Sequence, residues 1–408
     1  MRICLLSYRG NPYCGGQGIY IYYLSRALLE LGHEVDVMAG PPYPELAEGI
    51  QLHRLESLEL YEPDRSALKI LSRLHDPINL YEVLSVGTGT FAEPLTFSLR
   101  AYRKIKALMA ERRFDIIHDN QCLGYGLLLL KRLDIPVVAT IHHPIPIDRD
   151  MAIAQARYPW RKLLIQRWYA FCGMQGRVAR RLERIITVSN SSARSIEQAH
   201  RVSRHQMRVV HNGIDTELFR RVNGVPKRPN SLVLVNSGEQ SLKGVPYLLK
   251  ALRMLRDGTD IRLTIVGSPV PEGQYLRLIK QYGIEDMVTF TGRVSVDRLV
   301  REYATAEMCV VPSLYEGFGL PAAEAMACGL PVVSTTGGAL PEVVGRDGEA
   351  GLLVPPAQPE ALAAAIRRLL SNASLREKMG EAGRKRIESE FTWRRAAQRT
   401  VEVYREVT

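Results

Sequence analysis

The sequence predicts an α/β protein built from two doubly wound domains, each with a parallel sheet. Short apolar runs alternate with helical stretches through nearly all of the 408 residues, which is typical of parallel α/β folds. A turn-rich stretch over 212–230 interrupts this alternation, which then restarts. We therefore expect two sheets joined near residue 220. Doubly wound sheets bind ligands beyond the carboxyl ends of their strands, so we expect the chemistry in a cleft between the domains.

The strands are predicted where short runs of β-branched and aliphatic residues are bounded by turn residues. In the first domain a strand over 3–7, a helix over 19–31 and a strand over 34–38 come first. Its further strands are predicted over 116–118, 137–141, 185–188 and 208–211. The second domain is predicted to have strands over 232–235, 263–266, 288–290, 309–312 and 331–335. The stretch 41–94 mixes loops with short helical patterns and yields no clear element.

Composition excludes several classes of protein. Apolar residues make up 46% and charged residues 24% of the chain, which is ordinary globular usage and excludes disorder and coiled coil. The six cysteines are scattered without any C-x-x-C pair, which argues against a disulfide framework or a zinc ribbon. No apolar run approaches the roughly 18 residues that span a bilayer, and the first strand is too short for a signal peptide. We therefore expect a cytoplasmic protein.

The positive charge of the chain is regional. The net charge is +11, and the segments 100–113 and 149–184 hold more than this excess between them. A local basic surface attracts phosphates on lipids, nucleotides or nucleic acid. No helix-turn-helix, RNA-binding or zinc motif accompanies it, so nucleic-acid binding is not expected.

The segment 157–171 mixes arginine and lysine with tryptophan, tyrosine and leucine. Such a mixture is typical of helices that lie on anionic lipid, and 100–113 offers a second cationic helix. One hypothesis is therefore peripheral contact with the inner face of a membrane. The alternative is a solvated helix whose tryptophans and leucines face the core. A phosphorylated soluble acceptor would explain the charge equally well.

A glycine-rich stretch, Gly15-Gly16-Gln17-Gly18, follows the first predicted strand and opens the first helix. Glycines at this point let the backbone approach a ligand, and the helix N-terminus favours an anion. The order is not G-x-G-x-x-G, and the second strand ends in Met38-Ala39-Gly40 without an acid, which counts against NAD. A tight turn alone is the structural alternative.

The most informative stretch runs from Tyr315 to Gly329 and carries Glu316 and Glu324 with seven residues between them. Glu316 is predicted on a loop at the carboxyl edge of the sheet, and Glu324 in the first turns of a helix that Pro321 opens. Loop glycines beside a helix N-terminus form a cradle for a diphosphate. The two carboxylates beside it are suited to accept hydrogen bonds from the hydroxyls of a sugar and a ribose.

This E-x7-E pattern with Gly-Phe-Gly-Leu-Pro inside it resembles that of the retaining glycosyltransferases of family 4. The resemblance covers nearly the whole chain, except about 41–110 and 145–180. Five further stretches resemble motifs of the same family: Gly15-Gly16-Gln17-Gly18, Thr187-Val188-Ser189, Asn212-Gly213-Ile214-Asp215, Gly337-Gly338-Ala339-Leu340-Pro341-Glu342 and Phe391-Thr392-Trp393. It implies the GT-B fold, with two Rossmann-like domains facing across a cleft. Residues 1–222 would bind the acceptor, residues 223–390 would bind the nucleotide-sugar, and a final helix over 391–408 would pack back on the first domain.

The resemblance also implies roles for individual residues. Glu316 would contact hydroxyls of the donor sugar, and Glu324 those of the ribose. The diphosphate would be held by Lys243 and by the amides of Gly317, Phe318, Gly319 and Leu320. The nucleobase would meet the backbone around Arg293 and Val294.

Two further roles fall in the first domain. His142 would be the catalytic histidine near the donor C6 and the transferred group, with His143 as the weaker candidate. Gly16 would be the loop glycine that approaches the phosphate and the acceptor. Family members commonly carry Gly-Arg shortly before Lys-Gly, whereas Glu239 stands here at the place of that arginine. An acid cannot hold a diphosphate, so Ser237, Ser241 or a cation from elsewhere would have to replace it.

No metal or other cofactor is expected. Asp148-Arg149-Asp150 has the D-x-D form that holds a divalent ion in some nucleotide-sugar enzymes, but it follows two prolines in the domain that does not bind the donor. A loop beside the acceptor is the favoured interpretation. Backbone amides and Lys243 would neutralise the leaving diphosphate without a metal.

The predicted activity is retaining transfer of a hexose from a UDP- or GDP-sugar to a hydroxyl of an acceptor sugar, sugar phosphate or lipid. Retention requires a carboxylate nucleophile or attack on the face from which the leaving group departs. The family implies front-face attack, with the leaving phosphate taking the acceptor proton. The alternatives are a nucleotide-sugar epimerase of the same architecture and a catalytically weak nucleotide-sugar-binding protein.

Overall fold

Parallel strands form two separate sheets in the computed structural model, which describes residues 1–11, 16–61, 70–236, 238–256 and 260–408. The chain divides into two units. Unit 1 contains Met1–His211 together with Trp393–Thr408, and unit 2 contains Asn212–Thr392. No helix in the described part of the chain combines the length and apolar character needed to cross a membrane.

Unit 1 contains a seven-stranded parallel sheet in the order β3-β2-β1-β4-β5-β6-β7. Its strands are β1 (Arg2–Ser7), β2 (Glu34–Ala39), β3 (Gln51–Arg54), β4 (Ile116–Asn120), β5 (Val137–Ile141), β6 (Arg184–Thr187) and β7 (Met207–Val209). The α-helices are Gly16–Glu30, Pro77–Gly87, Glu93–Leu108, Gly126–Leu130, Pro146–Gln155, Pro159–Trp168, Phe171–Ala179, Asn190–His200 and Trp393–Arg405. Lys131–Leu133 and Arg204–Gln206 form 3-10 turns.

The sheet of unit 1 is buried on both faces, because helices cover each side. Along β1, Cys4 and Leu6 belong to one apolar cluster while Ile3 and Leu5 belong to the other, as the two-residue repeat of a strand requires. The helix Trp393–Arg405 completes the second face. Its Trp393 ring stacks on Tyr23 of the first helix with centroids 5.3 Å apart.

Unit 2 contains a six-stranded parallel sheet in the order β10-β9-β8-β11-β12-β13. Its strands are β8 (Ser231–Val235), β9 (Arg262–Val266), β10 (Val288–Phe290), β11 (Met308–Val311), β12 (Val332–Thr335) and β13 (Gly351–Val354). The α-helices are Val245–Leu255, Gln274–Tyr282, Val296–Thr305, Leu320–Ala327, Leu340–Val344, Pro359–Leu370 and Ala373–Glu390, and Ser241–Lys243 is a 3-10 turn.

The predicted α/β class with two parallel sheets is confirmed. Each strand expected from the sequence is present with ends within two residues of those predicted, and the first helix begins earlier, at Gly16. Two strands, β3 and β13, were not predicted. β3 is a four-residue strand at the sheet edge with only one buried side chain, so it lacks the apolar run that marks a central strand.

Each sheet reverses its strand order at one point, between β1 and β4 in unit 1 and between β8 and β11 in unit 2. At such a point the connections from two neighbouring strands leave in opposite directions, which opens a crevice at the carboxyl edge where open α/β sheets bind ligands. Lys243 lies in the connection after β8, and Glu316 in the connection after β11. In unit 1, Gly16 follows β1, and Asn120 ends β4.

Candidate functional site

Three loops at the carboxyl edge of unit 2 pack directly against one another. A Cβ at Gly244, whose φ is 64°, would lie 1.9 Å from the carbonyl oxygen of Pro312. A Cβ at Gly338, with φ of 68°, would lie 2.2 Å from the carbonyl oxygen of Glu316. The amide of Ala339 donates to that same oxygen at 2.9 Å. Glycine is therefore required at both positions, where the loop after β8 packs on Pro312 and the loop after β12 packs on the backbone of Glu316.

Lys243 and Glu316 form an ion pair in this packed region. The Nζ of Lys243 lies 2.9 Å from Oε1 of Glu316, and the hydroxyl of Ser313 donates to the same oxygen at 2.7 Å. The side chains remain 26% and 11% exposed, respectively, so both are reachable by a ligand. The structure thus brings together the predicted phosphate-binding cation and the predicted sugar-binding carboxylate.

The helix Leu320–Ala327 begins beside this ion pair. Its cap residue Gly319 has φ of 99° and no side chain of its own to cap the helix. The first amides of such a helix favour an anion. The side chain of Phe318 is buried, and its ring lies 5.8 Å from that of Phe391, so this part of the loop presents backbone. The loop 317–320 thus lies at the start of this helix, and its role as a diphosphate cradle stays a prediction.

Glu324 lies one turn into that helix. The hydroxyl of Tyr303, which is buried, donates to Oε2 of Glu324 at 3.1 Å. Burial raises the pKa of Glu324 to about 7, so this carboxyl changes its charge near neutral pH. Sequence reasoning missed Tyr303 and Ser313, which orient the two glutamates, because single hydroxyls leave no motif.

Arg293 and Val294 follow β10 at the same edge of the sheet. Gly292 forms a bridge with Gly267, the residue after β9, and its φ is 71°. Arg293 is exposed and Val294 is half-buried. The fold thus places the predicted nucleobase segment at the carboxyl edge, where the neighbouring strand β9 also ends.

Glu239 has a structural role that the sequence did not reveal. Its carboxylate accepts hydrogen bonds from the amides of Gln274 at 2.7 Å and Tyr275 at 2.8 Å, the first two residues of the helix Gln274–Tyr282. An acid at a helix N-terminus satisfies free amides and the positive end of the dipole. Glu239, which stands where the arginine was expected, therefore caps the N-terminus of this helix. Of the predicted substitutes, Ser241 opens the 3-10 turn Ser241–Lys243, and Ser237 lies outside the described residues.

Replacing Glu239 with alanine should therefore reduce stability and leave donor binding unchanged. The loss of two capping bonds should lower the free energy of unfolding of unit 2 by about 1–2 kcal/mol. Thermal and urea unfolding measure this loss, with the exposed Glu285→Ala as the matched control. A large drop in nucleotide affinity without a loss of stability would contradict the capping role.

His142 lies at the carboxyl edge of unit 1, directly after β5. Its Nε2 is 2.7 Å from Oδ1 of Asn120, whose Nδ2 donates to the carbonyl oxygen of Gln17 at 3.2 Å. Since the Asn120 amide nitrogen is committed to a carbonyl, its oxygen must accept from His142, which places the imidazole proton on Nε2. The ring of Tyr20 packs edge-on against His142 at 4.5 Å. Burial lowers the pKa of His142 to about 4, so the ring is neutral at pH 7.

His143 is engaged elsewhere. Its Nε2 lies 3.2 Å from Oδ1 of Asp148, in the helix Pro146–Gln155. The second aspartate of the D-x-D stretch, Asp150, is paired with Arg149 at 2.7 Å. Both carboxylates are thus engaged by neighbouring side chains, within a helix rather than the loop expected for them.

The glycines of the first loop differ in their surroundings. A Cβ at Gly16 would meet no atom within 4 Å, whereas a Cβ at Gly18 would lie 2.0 Å from the carbonyl oxygen of Asn11. Packing thus requires a glycine at position 18, whereas a side chain at position 16 would meet open space. Gly15 lies outside the described residues.

The two cationic segments differ in the surroundings of their side chains. In the helix Pro159–Trp168 no residue is buried, and Trp160, Leu163 and Leu164 are 57%, 66% and 53% exposed. The alternative that the tryptophans and leucines face the core is therefore wrong for these three, whereas Trp168 packs against Tyr61 and Phe91. In the segment 100–113, by contrast, three arginines form ion pairs within unit 1: Arg100 with Glu82, Arg103 with Asp76, and Arg112 with Asp36.

Both the family models and the curated relatives define the class of this protein. Residues 14–218 match the model described as Glycosyltransferase Family 4, and residues 215–386 match Glycosyl transferases group 1. The chain belongs to this glycosyltransferase family. It is 46% identical over 408 residues, 99% of this chain and 98% of the relative, to the MMP alpha-(1->4)-mannosyltransferase of Mycolicibacterium hassiacum. It is 28% identical to the D-inositol 3-phosphate glycosyltransferase of Kribbella flavida over 100% of this chain and 96% of the relative.

Solved structures share the fold over the full chain. The sucrose-phosphate synthase of Thermosynechococcus elongatus matches with a TM-score of 0.74 and 25% identity, covering 100% of this chain and 99% of that one. Anabaena Alr3699/HepE, solved in complex with UDP, matches with a TM-score of 0.69 and 18% identity over 100% of both chains. The GT-B fold expected from the sequence is confirmed.

Proposed function

We propose that this glycosyltransferase moves a mannosyl group from a nucleoside diphosphate mannose to an acceptor hydroxyl, forming an α-(1→4) linkage with retention at the anomeric carbon. The observation that carries the proposal is the 46% identity, over almost all of both chains, to an α-(1→4)-mannosyltransferase. The ion pair of Lys243 and Glu316 beside the N-terminus of the helix Leu320–Ala327 supports a diphosphate-linked sugar as the donor.

The proposed chemistry is front-face substitution. Lys243 and the first amides of the helix Leu320–Ala327 stabilise the charge that develops on the departing diphosphate. Glu316 accepts hydrogen bonds from hydroxyls of the transferred sugar and fixes its orientation. The acceptor oxygen bonds to the anomeric carbon as the bond to the phosphate oxygen breaks, and that phosphate oxygen takes the acceptor proton. His142, neutral and fixed by Asn120, contributes a hydrogen-bonding group without a charge.

A donor panel tests the proposed activity. Mannose and glucose, each carried on UDP, GDP and ADP, are incubated with the protein and a mannoside acceptor, and the product anomer is assigned by NMR. We expect transfer from a mannose donor and an α-(1→4) product. Conversion of the donor alone into another nucleotide-sugar would instead indicate an epimerase. Nucleotide binding without turnover for any donor would indicate a binding protein.

The raised pKa of Glu324 predicts a pH dependence of donor binding. The ionised carboxylate is the form that accepts ribose hydroxyls, so a protonated Glu324 must release its proton when the donor binds. Affinity for the nucleotide-sugar should therefore fall by up to about tenfold per pH unit below pH 7 and level off above it.

Calorimetric titration between pH 6 and pH 8 measures this dependence. The nucleotide-sugar suits the measurement because its esterified diphosphate does not titrate in that range. Glu324→Gln is the control and should give a flat profile. A flat profile for the unmodified protein would remove Glu324 from the ribose site.

We also propose that the helix Pro159–Trp168 contacts anionic lipid. Exposed Trp160, Leu163 and Leu164 alternate with Arg161, Lys162 and Arg167, and residues 151–182 contain no acid. This combination matches an interfacial helix, in which apolar rings enter the headgroup region and cations meet lipid phosphates. Two copies pairing through this face would oppose cation to cation.

Vesicle co-sedimentation tests the lipid contact. The protein should bind vesicles that contain phosphatidylglycerol and dissociate from them as the salt concentration is raised. It should not bind purely zwitterionic vesicles. Trp160→Ser combined with Leu163→Ser should abolish binding, whereas the exposed pair Met254→Ser and Val270→Ser in unit 2 should not. Binding that survives the first pair would exclude this helix.

A further inference from the structure

A buried glutamine that belongs to none of the predicted motifs lies beside the candidate catalytic histidine. Gln121 directly follows β4 at the carboxyl edge of unit 1, and the residue is 5% exposed. The neighbouring strand β5 ends at Ile141, so His142 and His143 continue the chain beyond the last residue of that strand. The end of β4 thus places an amide side chain next to the backbone of both histidines.

The side-chain amide of Gln121 makes three hydrogen bonds to this backbone. Its Oε1 accepts from the amide of His142 at 2.7 Å and from that of His143 at 3.3 Å. Its Nε2 donates to the carbonyl oxygen of His143 at 2.8 Å. A primary amide donates and accepts as a peptide group does, so Gln121 continues the hydrogen bonding of the sheet past the end of β5.

The loop that carries Gln121 has a conformation that residues other than glycine seldom adopt. The angle φ is 59° at Gln121 and 52° at Leu123. The amide of Leu123 donates to Oδ2 of the buried Asp119 at 2.9 Å. Nε2 of the buried Gln175 donates to the carbonyl oxygens of Gln121 at 3.3 Å and Cys122 at 3.2 Å. Such left-handed residues persist where the surroundings hold them, and they cluster at functional sites.

The hydrogen bonds of Gln121 determine where the ring of His142 lies. That ring meets Oδ1 of Asn120 at 2.7 Å and packs edge-on against Tyr20 at 4.5 Å. It keeps both contacts only while its Cα stays in place, because two rotatable bonds alone join the ring to the backbone. The carbonyl oxygen of His142 also accepts from the hydroxyl of Ser192 at 3.3 Å. The backbone of His142 is therefore held at its amide and at its carbonyl group.

We infer that Gln121 is a positioning residue, which holds the backbone of His142 so that its ring keeps one orientation during transfer. Gln121 acts through His142 rather than on a reacting atom. Catalytic groups must be held to within about 0.5 Å of the productive geometry, and a displacement of about 1 Å costs roughly a hundredfold in rate. The inference rests on the proposed function, because that function gives His142 its role.

The experiment uses the whole protein and a matched pair of substitutions. Gln121→Met keeps the length of the side chain and removes all three hydrogen bonds. Gln206→Met is the control, because Gln206 also bonds three backbone groups: the amide of Ser203 at 3.3 Å and the carbonyl oxygens of Arg180 at 3.4 Å and Leu182 at 3.0 Å. Gln206 directly precedes β7, at the amino edge of the same sheet and away from His142.

A second variant guards against a failure of the first to fold. Gln121→Asn suits the left-handed backbone of the loop, since asparagine adopts that conformation more readily than most residues. Its amide is one methylene group shorter and does not reach the backbone of His142 in the same geometry. Thermal unfolding shows that each variant is folded before its rate is measured.

Initial rates should show kcat lowered about tenfold or more by Gln121→Met and by Gln121→Asn, with the KM for the donor within about threefold. Gln206→Met should keep the kcat of the unmodified protein, although it also loses stability. A role confined to closing the loop would leave kcat unchanged. An unchanged kcat in a folded variant of Gln121, or an equal loss in Gln206→Met, overturns the inference.

Nitrogen-15 NMR of labelled histidines reports the tautomer of His142 without turnover, and its signals are those lost in His142→Gln. The proton should lie on Nε2 in the unmodified protein and in Gln206→Met, whereas Gln121→Met should shift the signals toward a mixture of both tautomers. If no donor supports transfer but the signals shift, the proposed function fails and the positioning by Gln121 stands. If transfer proceeds and Gln121→Met changes neither kcat nor the signals, the inference fails and the proposed function stands. Unshifted signals overturn the inference with or without transfer.

Discussion

Replacing Glu316 with glutamine is expected to lower the rate of transfer about a hundredfold or more while leaving nucleotide binding within about threefold. Glutamine keeps the shape of the side chain but loses the charge that holds Lys243 at 2.9 Å and accepts sugar hydroxyls. The donor sugar would then be held in a less reactive orientation, and misplacement by about 1 Å costs roughly a hundredfold in rate. Steady-state rates and calorimetry measure the two effects separately.

Glu349→Gln is the matched control for this change, because Glu349 is an exposed glutamate of the same unit. Its rate should equal that of the unmodified protein. Full activity in Glu316→Gln would remove this carboxylate from the site. A loss of nucleotide binding equal to the loss of rate would show that Glu316 acts on the diphosphate through Lys243.

Replacing Lys243 with methionine is expected to weaken donor binding by about ten- to a hundredfold. A charge-assisted contact to a phosphate contributes about 1.5–3 kcal/mol, and each 1.4 kcal/mol is tenfold in affinity. Methionine keeps most of the length of the side chain, so the loop after β8 should retain its packing on Pro312. Calorimetric titration with the nucleoside diphosphate measures the loss.

Lys250→Met serves as the control, because Lys250 is half-exposed on the following helix and lies 3.7 Å from Glu360. Nucleotide affinity that is unchanged in Lys243→Met would mean that another group holds the diphosphate. In the double variant with Glu316→Gln, the two effects should not add, since the side chains touch and share one ligand.

The fold was largely predictable because most of its strands correspond to short apolar runs of the sequence that lie between turn residues. β5 illustrates this, since all five of its residues are buried and its bounds match the predicted ones. β3 escaped prediction because it is a four-residue edge strand with a mostly polar sequence, and its existence depends on pairing with β2. Such a strand is defined by its neighbour rather than by its own composition.

The candidate site was predictable where one local stretch carries several functional residues. Glu316, the loop glycines and Glu324 lie within ten residues, and the structure places them around one helix start. The role of Glu239 was not predictable, because its partners, the amides of residues 274 and 275, lie 35 and 36 residues further along the chain. A single sequence shows the acid but not the helix end that it caps.

The contribution of Asn120 to His142 was hidden for the same reason. The two residues end neighbouring strands, and only the parallel pairing of β4 with β5 brings their side chains to 2.7 Å. A cavity lined by Arg9, Gln17 and Glu59 is likewise assembled from the ends of three strands and one helix start. Sites built from separate loops at a sheet edge leave no contiguous motif.

We propose that a nucleotide-linked sugar binds at the carboxyl edge of the second sheet, around Lys243, Glu316 and the helix Leu320–Ala327. Amide hydrogen exchange, measured by mass spectrometry with and without nucleoside diphosphate in the presence of EDTA, tests it most directly. Binding should slow exchange in peptides that cover 238–246, 290–296 and 313–324. Unchanged exchange in these peptides at saturating nucleotide, or protection confined to unit 1, would contradict it.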